Sequence, residues 1–267
     1  MYESLRPVVE LSHSAWGFLD EIKTISYGLT LAQFVTTNAA YLREGIRAKH
    51  PDFQGDLLRA EVCGAQVTVS IEAAHLQAFA EELERFYAFG AAVRMLGAYE
   101  HCILRIVDAA DQAMPTKMAS FRTAAKTRWG SFNPDNRQHY FHHNLGRGLD
   151  VLTDVFSFGP HASYRPCMQF FVGLRNVCVH CSGIADKHLE DAALSPHVHV
   201  VPPPKVGSSV SWNFSSALKL QHLLLSIVTD SDPSTRGPLS LATDTRQAWW
   251  YDVPSEGAAP SASGPGT

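Results

Sequence analysis

The chain of 267 residues is 45% hydrophobic and 18% charged, enough apolar side chain to bury the core of one large or two modest domains. A net charge of −4 excludes a generic polyanion binder, because non-specific nucleic-acid affinity comes mainly from neutralised phosphates, and any such binding must use a local patch. No window approaches the roughly eighteen apolar residues of a membrane span, and residues 1–6 lack the basic-then-apolar layout of a signal peptide, so a cytoplasmic protein with no membrane partner is expected.

From residue 12 to about 49, apolar residues recur at spacings of three and four, among them Trp16, Leu19, Ile22, Leu31, Phe34, Val35, Leu42 and Ile46. The pattern predicts helix with a break near Gly28. Residues 51–56 read as a loop and 66–70 as at most a short strand, so 1–70 is expected to form an N-terminal helical extension packed on the helices C-terminal to it. A long helix is predicted from near Ser70, a candidate N-cap, with an interruption at Gly90. Leu96, Tyr99, Ile103, Ile106 and Val107 line one face of it, and Glu100 and His101 fall on the exposed edge.

Residues 116–148 differ from the average. Six basic residues, Lys117, Arg122, Lys126, Arg128, Arg137 and Arg147, stand there against one acid, Asp135, and Trp129, Phe132, Tyr140 and Phe141 lie among them. Cations interleaved with rings suit a single-stranded nucleic acid, since the cations track phosphates and the rings stack on bases; a solvated loop followed by a short helix is the alternative. His139, His142 and His143 share the segment, but no acid or thiol follows at a zinc-site spacing, so no metal is expected.

Residues 149–158 predict a helix that stops at Gly159-Pro160, and a second helix runs from about Tyr164 to Ser182. Pro166 suits its first turn and Gly183 the position just past its last. Residues 198–201 and 209–212 alternate around Pro202-Pro203-Pro204 and predict a β-hairpin with His197 and His199 on one face, two imidazoles being too few for a metal site. Residues 215–228 form a strongly apolar closing helix. Residues 231–267 read as a Pro/Gly/Ser/Ala-rich tail, expected to be disordered from about residue 255, where hydrophobes are almost absent.

The candidate chemistry lies in Arg175, Asn176 and His180. On a helix Asn176 and His180 share a face, while Arg175 is offset by about 140° from the histidine, a gap that a long side chain can close. His180 falls in the last turn, where the partial negative charge of the helix end favours the protonated imidazole. Arg175 offers a planar fork for phosphate oxygens, and Asn176 can orient the imidazole or a substrate hydroxyl. Together they supply proton transfer and stabilisation of a pentacoordinate phosphorane without a metal, with the RNA 2′-hydroxyl as nucleophile. The five cysteines, Cys63, Cys102, Cys167, Cys178 and Cys181, are odd in number and set in apolar sequence, as expected of reduced thiols used for packing. Cys178 and Cys181 form a lone CxxC with no second pair and no preceding strand, which does not make a zinc or redox unit.

Arg175-Asn176-Val177-Cys178-Val179-His180 resembles the Arg-x4-His signature of the HEPN superfamily, in the form where a polar residue follows the arginine. Cys181-Ser182-Gly183-Ile184-Ala185-Asp186-Lys187 looks like the continuation in stand-alone HEPN ribonucleases of bacterial defence and toxin systems. The nucleotidyltransferase-partnered branch carries a tyrosine two residues after the histidine, where this chain has Ser182. The resemblance covers mainly residues 165–190. It implies a mainly α, HEPN-like up-and-down helical bundle over residues 71–230, following the N-terminal extension and carrying the short β-hairpin as an insertion. It further implies a homodimer that brings two copies of the motif into one cleft and cuts RNA with no cofactor, as a defence or stress effector with a regulatory partner protein. On this expectation Arg175, His180 and Asn176 are catalytic and Lys117, Arg122, Lys126, Arg128, Trp129 and Arg137 bind RNA. The alternative is a HEPN module that binds RNA or a partner protein without cutting.

Overall fold

Apolar residues at helical spacing build seven helices and four short strands among the residues described by the computed structural model, which are 7–49, 56–62, 65–70, 76–130, 132–133, 136, 140, 147–159, 162–200 and 202–252. In chain order these are β1 (Val8–Ser12), α1 (His13–Lys49), β2 (Asp56–Val62), β3 (Ala65–Ser70), α2 (Leu76–Ala113), α3 (Pro115–Trp129) and α4 (Arg147–Phe156). The remainder comprises α5 (Tyr164–His180), α6 (Lys187–Ala193), α7 (Phe214–Arg236), β4 (Thr243–Gln247) and a 3-10 turn at Trp249–Asp252. The fold is mainly α with a small β-hairpin, as the sequence periodicities predict. No helix among the described residues is long and apolar enough to cross a membrane.

The hairpin is not where alternation suggested. It is β2 with β3, antiparallel, with Val62 opposite Ala65. Residues 198–200 and 209–212 form no ladder with each other, and Ser209 instead bridges to Ile184. Three consecutive prolines, Pro202, Pro203 and Pro204, remove the amide donors a ladder needs. His197 is half-buried and His199 exposed, and both line a cavity of about 460 Å³ with Cys167, Phe170 and Lys219.

Helices α1 and α2 run unbroken through Gly28 and Gly90, where breaks were expected. A helical glycine costs about 1 kcal/mol, and the burial of Ile25 and Leu29 beside the first and of Ala88 and Ala92 beside the second outweighs it. The two long helices pack side by side, and α7 packs on both. Trp16, Leu19 and Ile22 of α1 enter the same buried cluster as Tyr99 and Ile103 of α2, Met168 of α5 and Leu220 and Leu224 of α7. The start of α7 is held by the Asn213 side chain, which accepts from the Ser216 amide at 2.8 Å, and by Glu84 of α2, which accepts from the Phe214 amide at 3.0 Å.

The segment after Val228 also departs from expectation. Helix α7 continues through Pro233 to Arg236, and β4 returns to pair antiparallel with β1, from Val8 opposite Gln247 to Ser12 opposite Thr243. Residues 231–252 therefore belong to the packed body rather than to a tail; the Gly/Ala/Ser/Pro stretch from Ser255 lies outside the described residues. Composition missed this because the order there comes from pairing with a strand more than 200 residues away in sequence.

One buried carboxylate ties these ends together. Asp232 accepts from the Ser12 amide at 3.2 Å to each oxygen and from the Ser12 hydroxyl at 2.5 Å. Ser12 Oγ in turn accepts from the Ala15 amide at 3.2 Å, as the N-cap of α1. Asp232→Ala leaves these buried donors without their acceptor and is expected to lower unfolding free energy by about 1–3 kcal/mol, measured by denaturant titration. Burial pushes the Asp232 carboxyl above its ordinary value of 3.8, against the pull of the Ser12 donors and Arg236. Since the folded value lies above the unfolded one, the group's contribution is complete below that ordinary value and is lost as pH rises through the folded one. Asp232→Asn keeps an acceptor for Ser12 and does not titrate. Its melting temperature minus that of wild type is therefore expected to rise as pH increases above about 4.

Candidate active site

Helix α5 carries the Arg-x4-His motif on its last turns and ends at His180, two residues earlier than periodicity predicted. The amides of Cys181 and Gly183 both donate to the Val177 carbonyl at 3.0 Å, which closes the helix end. Gly183 has φ +74°, and a Cβ there would lie 2.7 Å from the Val210 carbonyl oxygen. The Val210 amide donates to the Gly183 carbonyl at 2.7 Å, and Ala185 exchanges hydrogen bonds with Ser208 and Gly207 at 2.9 Å. The exit from the motif is thus clamped against residues 207–210.

Arg175 and Asn176 are half-buried, and the Arg175 Nη1 donates to Asn176 Oδ1 at 3.0 Å. Burial pushes the half-buried Glu100 carboxyl of α2 up, and the Arg175 guanidinium opposes that rise, so the two side chains lie within electrostatic reach. Glu100 is therefore not on a purely solvated edge. His180 is exposed at the helix terminus and, among the described residues, has no hydrogen-bond or ion-pair partner. The structure joins Arg175 to Asn176 directly and leaves His180 facing outward one turn beyond.

The outer face of α5 runs through Gln169, Gly173, Asn176 and His180. Gly173 lets α6 approach closely: a Cβ there would meet Leu189 Cδ1 at 3.4 Å. Helix α6 is anchored by its N-cap Asp186, which accepts from the Leu189 amide at 2.8 Å. Between the two helices lies a cleft of about 580 Å³ lined by Gln169, Asn176, Asp186, His188, Asp191 and Ser195. Sequence periodicity did not reveal α6, His188 or Gln169 as neighbours of the motif; the Asp186 cap with Glu190 in the first turn is the local signal that marks the helix.

The basic and aromatic segment is largely committed to the fold. Helix α3 begins with Pro115 at its first turn and buries Met118, Phe121 and Ala125. Arg122 Nη2 lies 2.5 Å from both Asp111 oxygens, and its Nε donates to the Tyr140 hydroxyl at 3.1 Å. Arg128 pairs with Asp154 at 3.0 Å and with the buried Asp150 at 3.7 Å, and Asp150 also accepts from Arg165. Trp129 packs edge-on against Phe121 and Phe132, with the Arg147 guanidinium 4.7 Å from its ring centre. Lys117 and Lys126 are exposed, but nine residues turn a helix by about half a circle, so they point to opposite sides of α3. Arg137, His139, His142 and His143 lie outside the described residues.

Cys102 is buried, Cys167 and Cys178 half-buried and Cys181 exposed, all as free thiols; Cys63 lies outside the described residues. Burial pushes the Cys178 thiol up, against a backbone hydrogen bond to Trp212, which keeps it protonated and poor as a nucleophile or metal ligand. Among the described residues no three His, Cys, Asp or Glu side chains converge as a metal site.

No family model, curated protein or solved structure matches the chain.

Gly183→Ala is expected to destabilise the fold by at least about 1 kcal/mol, because both the positive φ and the Val210 carbonyl oppose a side chain. A thermal melt checks this, with Gly207→Ala as comparison: its φ of +82° imposes similar strain but no atom stands within 4 Å, so its loss is smaller.

Proposed function

We propose that this chain is a metal-independent endoribonuclease of HEPN type, in which Arg175, Asn176 and His180 act on the RNA phosphodiester. The observation that carries the proposal is the arrangement at the end of α5, with a half-buried arginine fixed by the neighbouring asparagine and an exposed histidine one turn on. The 2′-hydroxyl attacks phosphorus, the bond from phosphorus to the 5′-oxygen breaks, and the products are a 2′,3′-cyclic phosphate and a 5′-hydroxyl. His180 moves a proton between the two oxygens by way of solvent or a second copy of the motif. Arg175 neutralises the phosphorane, and Asn176 holds the guanidinium at its angle. With one His180 facing outward, a homodimer that apposes two motifs completes the site, and a cell would restrain such an activity through a regulatory partner. A role as a defence or stress effector in the cytoplasm follows the same resemblance.

A second function, an RNA- or partner-binding HEPN module that does not cut, is favoured by the position of Arg175 beside Glu100, which gives the guanidinium a structural partner. The two separate in one experiment. Incubation of the purified chain with end-labelled RNA is expected to give fragments with cyclic phosphate ends, and Arg175→Ala or His180→Ala is expected to slow their appearance by about 10²–10⁴-fold while the circular dichroism spectrum stays that of wild type. EDTA is expected to leave the rate unchanged. Salt-sensitive RNA binding without fragments selects the module.

A further inference from the structure

Helix α1 is apolar on two opposite faces. One carries Phe18, Ile22, Ile25 and Leu29 into the core. The other presents Tyr27, Leu31, Phe34 and Tyr41 to solvent, at 66%, 64%, 65% and 78% exposure. A helix with a single buried face carries polar residues opposite, so this second face has an unmet requirement for burial.

The exposed residues follow a coiled-coil pattern. Tyr27, Leu31, Phe34, Asn38 and Tyr41 advance alternately by four and three residues, which places Tyr27, Phe34 and Tyr41 at d positions and Leu31 and Asn38 at a positions of a seven-residue repeat. Nearer its start the same side of α1 is covered from within the chain. Trp16 Nε1 donates to the Asp244 carbonyl at 2.8 Å, Arg246 Nη1 bonds Asp20 Oδ2 at 3.0 Å, and the Arg246 guanidinium lies 5.0 Å from the Trp16 ring centre. The uncovered seam begins at Tyr27, beyond the reach of β4.

We propose that α1 pairs with α1 of a second copy of this chain, parallel and in register, along the Tyr27–Tyr41 seam. The flanking positions permit a like partner: Thr30 and Thr37 on one side and Gly28 and Val35 on the other carry no charge, so identical helices meet there without repulsion, and Lys23, its Nζ 6.0 Å from the Tyr27 ring centre, lies at the edge of the seam. Asn38 is the single polar residue in the seam. It donates to the Phe34 carbonyl of its own helix at 2.8 Å, and in the parallel pair it faces the other Asn38, the device that fixes register and two-strandedness. The four apolar seam residues with Val35 expose roughly 600 Å² per copy, and only burial of all of it, roughly 1,200 Å² for the pair, reaches the lower limit of a specific interface. This interface is separate from the α5 cleft and does not depend on ribonuclease activity.

Light scattering of the full chain tests it. The double variant Leu31→Asp with Phe34→Asp sets four like charges in the seam and is expected to halve the assembly mass of wild type with an unchanged circular dichroism spectrum. Val206→Asp, at a residue 56% exposed and off the seam, is expected to keep the wild-type mass. Should the double variant fail to fold, Asn38→Cys under mild oxidation is expected to yield a 38-to-38 disulfide between two chains, identified by peptide mapping. A monomeric wild type, a folded double variant of wild-type mass, loss of assembly in Val206→Asp, or absence of the 38-to-38 crosslink each overturns the proposal.

Discussion

The body of this protein depends on a contact between its two ends. Asp232 sits buried in the last helix and holds both the amide and the hydroxyl of Ser12, where β1 gives way to α1. The hydroxyl is also the first cap of α1, so one carboxylate sets the start of a 37-residue helix and its position against α7. Arg236, one turn after Asp232, reaches the Glu10 carbonyl at 2.7 Å and secures the strand that β4 extends. Burying a carboxylate is unfavourable, and here the Ser12 donors and a guanidinium at 3.8 Å offset that cost only in part, so the carboxyl stays above its ordinary value. The arrangement explains why residues at the two ends of the sequence share one sheet and one core.

From that frame the motif helix inherits its rigidity at one point, the Val177 carbonyl. Two amides close on it, and Gly183 turns the chain where no side chain fits beneath Val210. The consequence is an α5 terminus closed by backbone hydrogen bonds, with His180 exposed and the Arg175–Asn176 pair half-buried. For the ribonuclease chemistry proposed above, a clamped helix end fixes the separation of His180 and Arg175 better than a loop would.

Charge is used sparingly outside the motif. Of the basic residues in the segment after α2, Arg122 and Arg128 neutralise acids of the fold and Arg147 lies over Trp129. Their role resembles mortar between α2, α3 and α4 more than an electrostatic track. Buried surface, by contrast, is left incomplete on α1, whose outer side is sealed by β4 only up to Asp20. Neither feature follows from net charge or composition, because both depend on which neighbour each side chain meets.

The mainly α class, the long helices around residues 16–46 and 95–107, the placement of Pro166 and Gly183 about α5, and the grouping of Arg175, Asn176 and His180 near a helix end were all legible in the sequence, since each rests on local periodicity or a backbone preference of proline and glycine. The β-hairpin was misplaced because alternation at 198–201 and 209–212 says nothing of the missing proline amides between them, and the order of residues 231–252 was hidden because its partners lie at the far end of the chain. In the candidate site the sequence identified the motif but not Glu100, Gln169 or His188, which become neighbours only when α2 and α6 pack on α5. Local chemistry decided which segments are helical and which residues carry reactive groups. Tertiary packing alone decided which of those groups are spent on ion pairs and which face solvent, because burial and electrostatic partnership are properties of a neighbourhood that one-dimensional spacing does not contain.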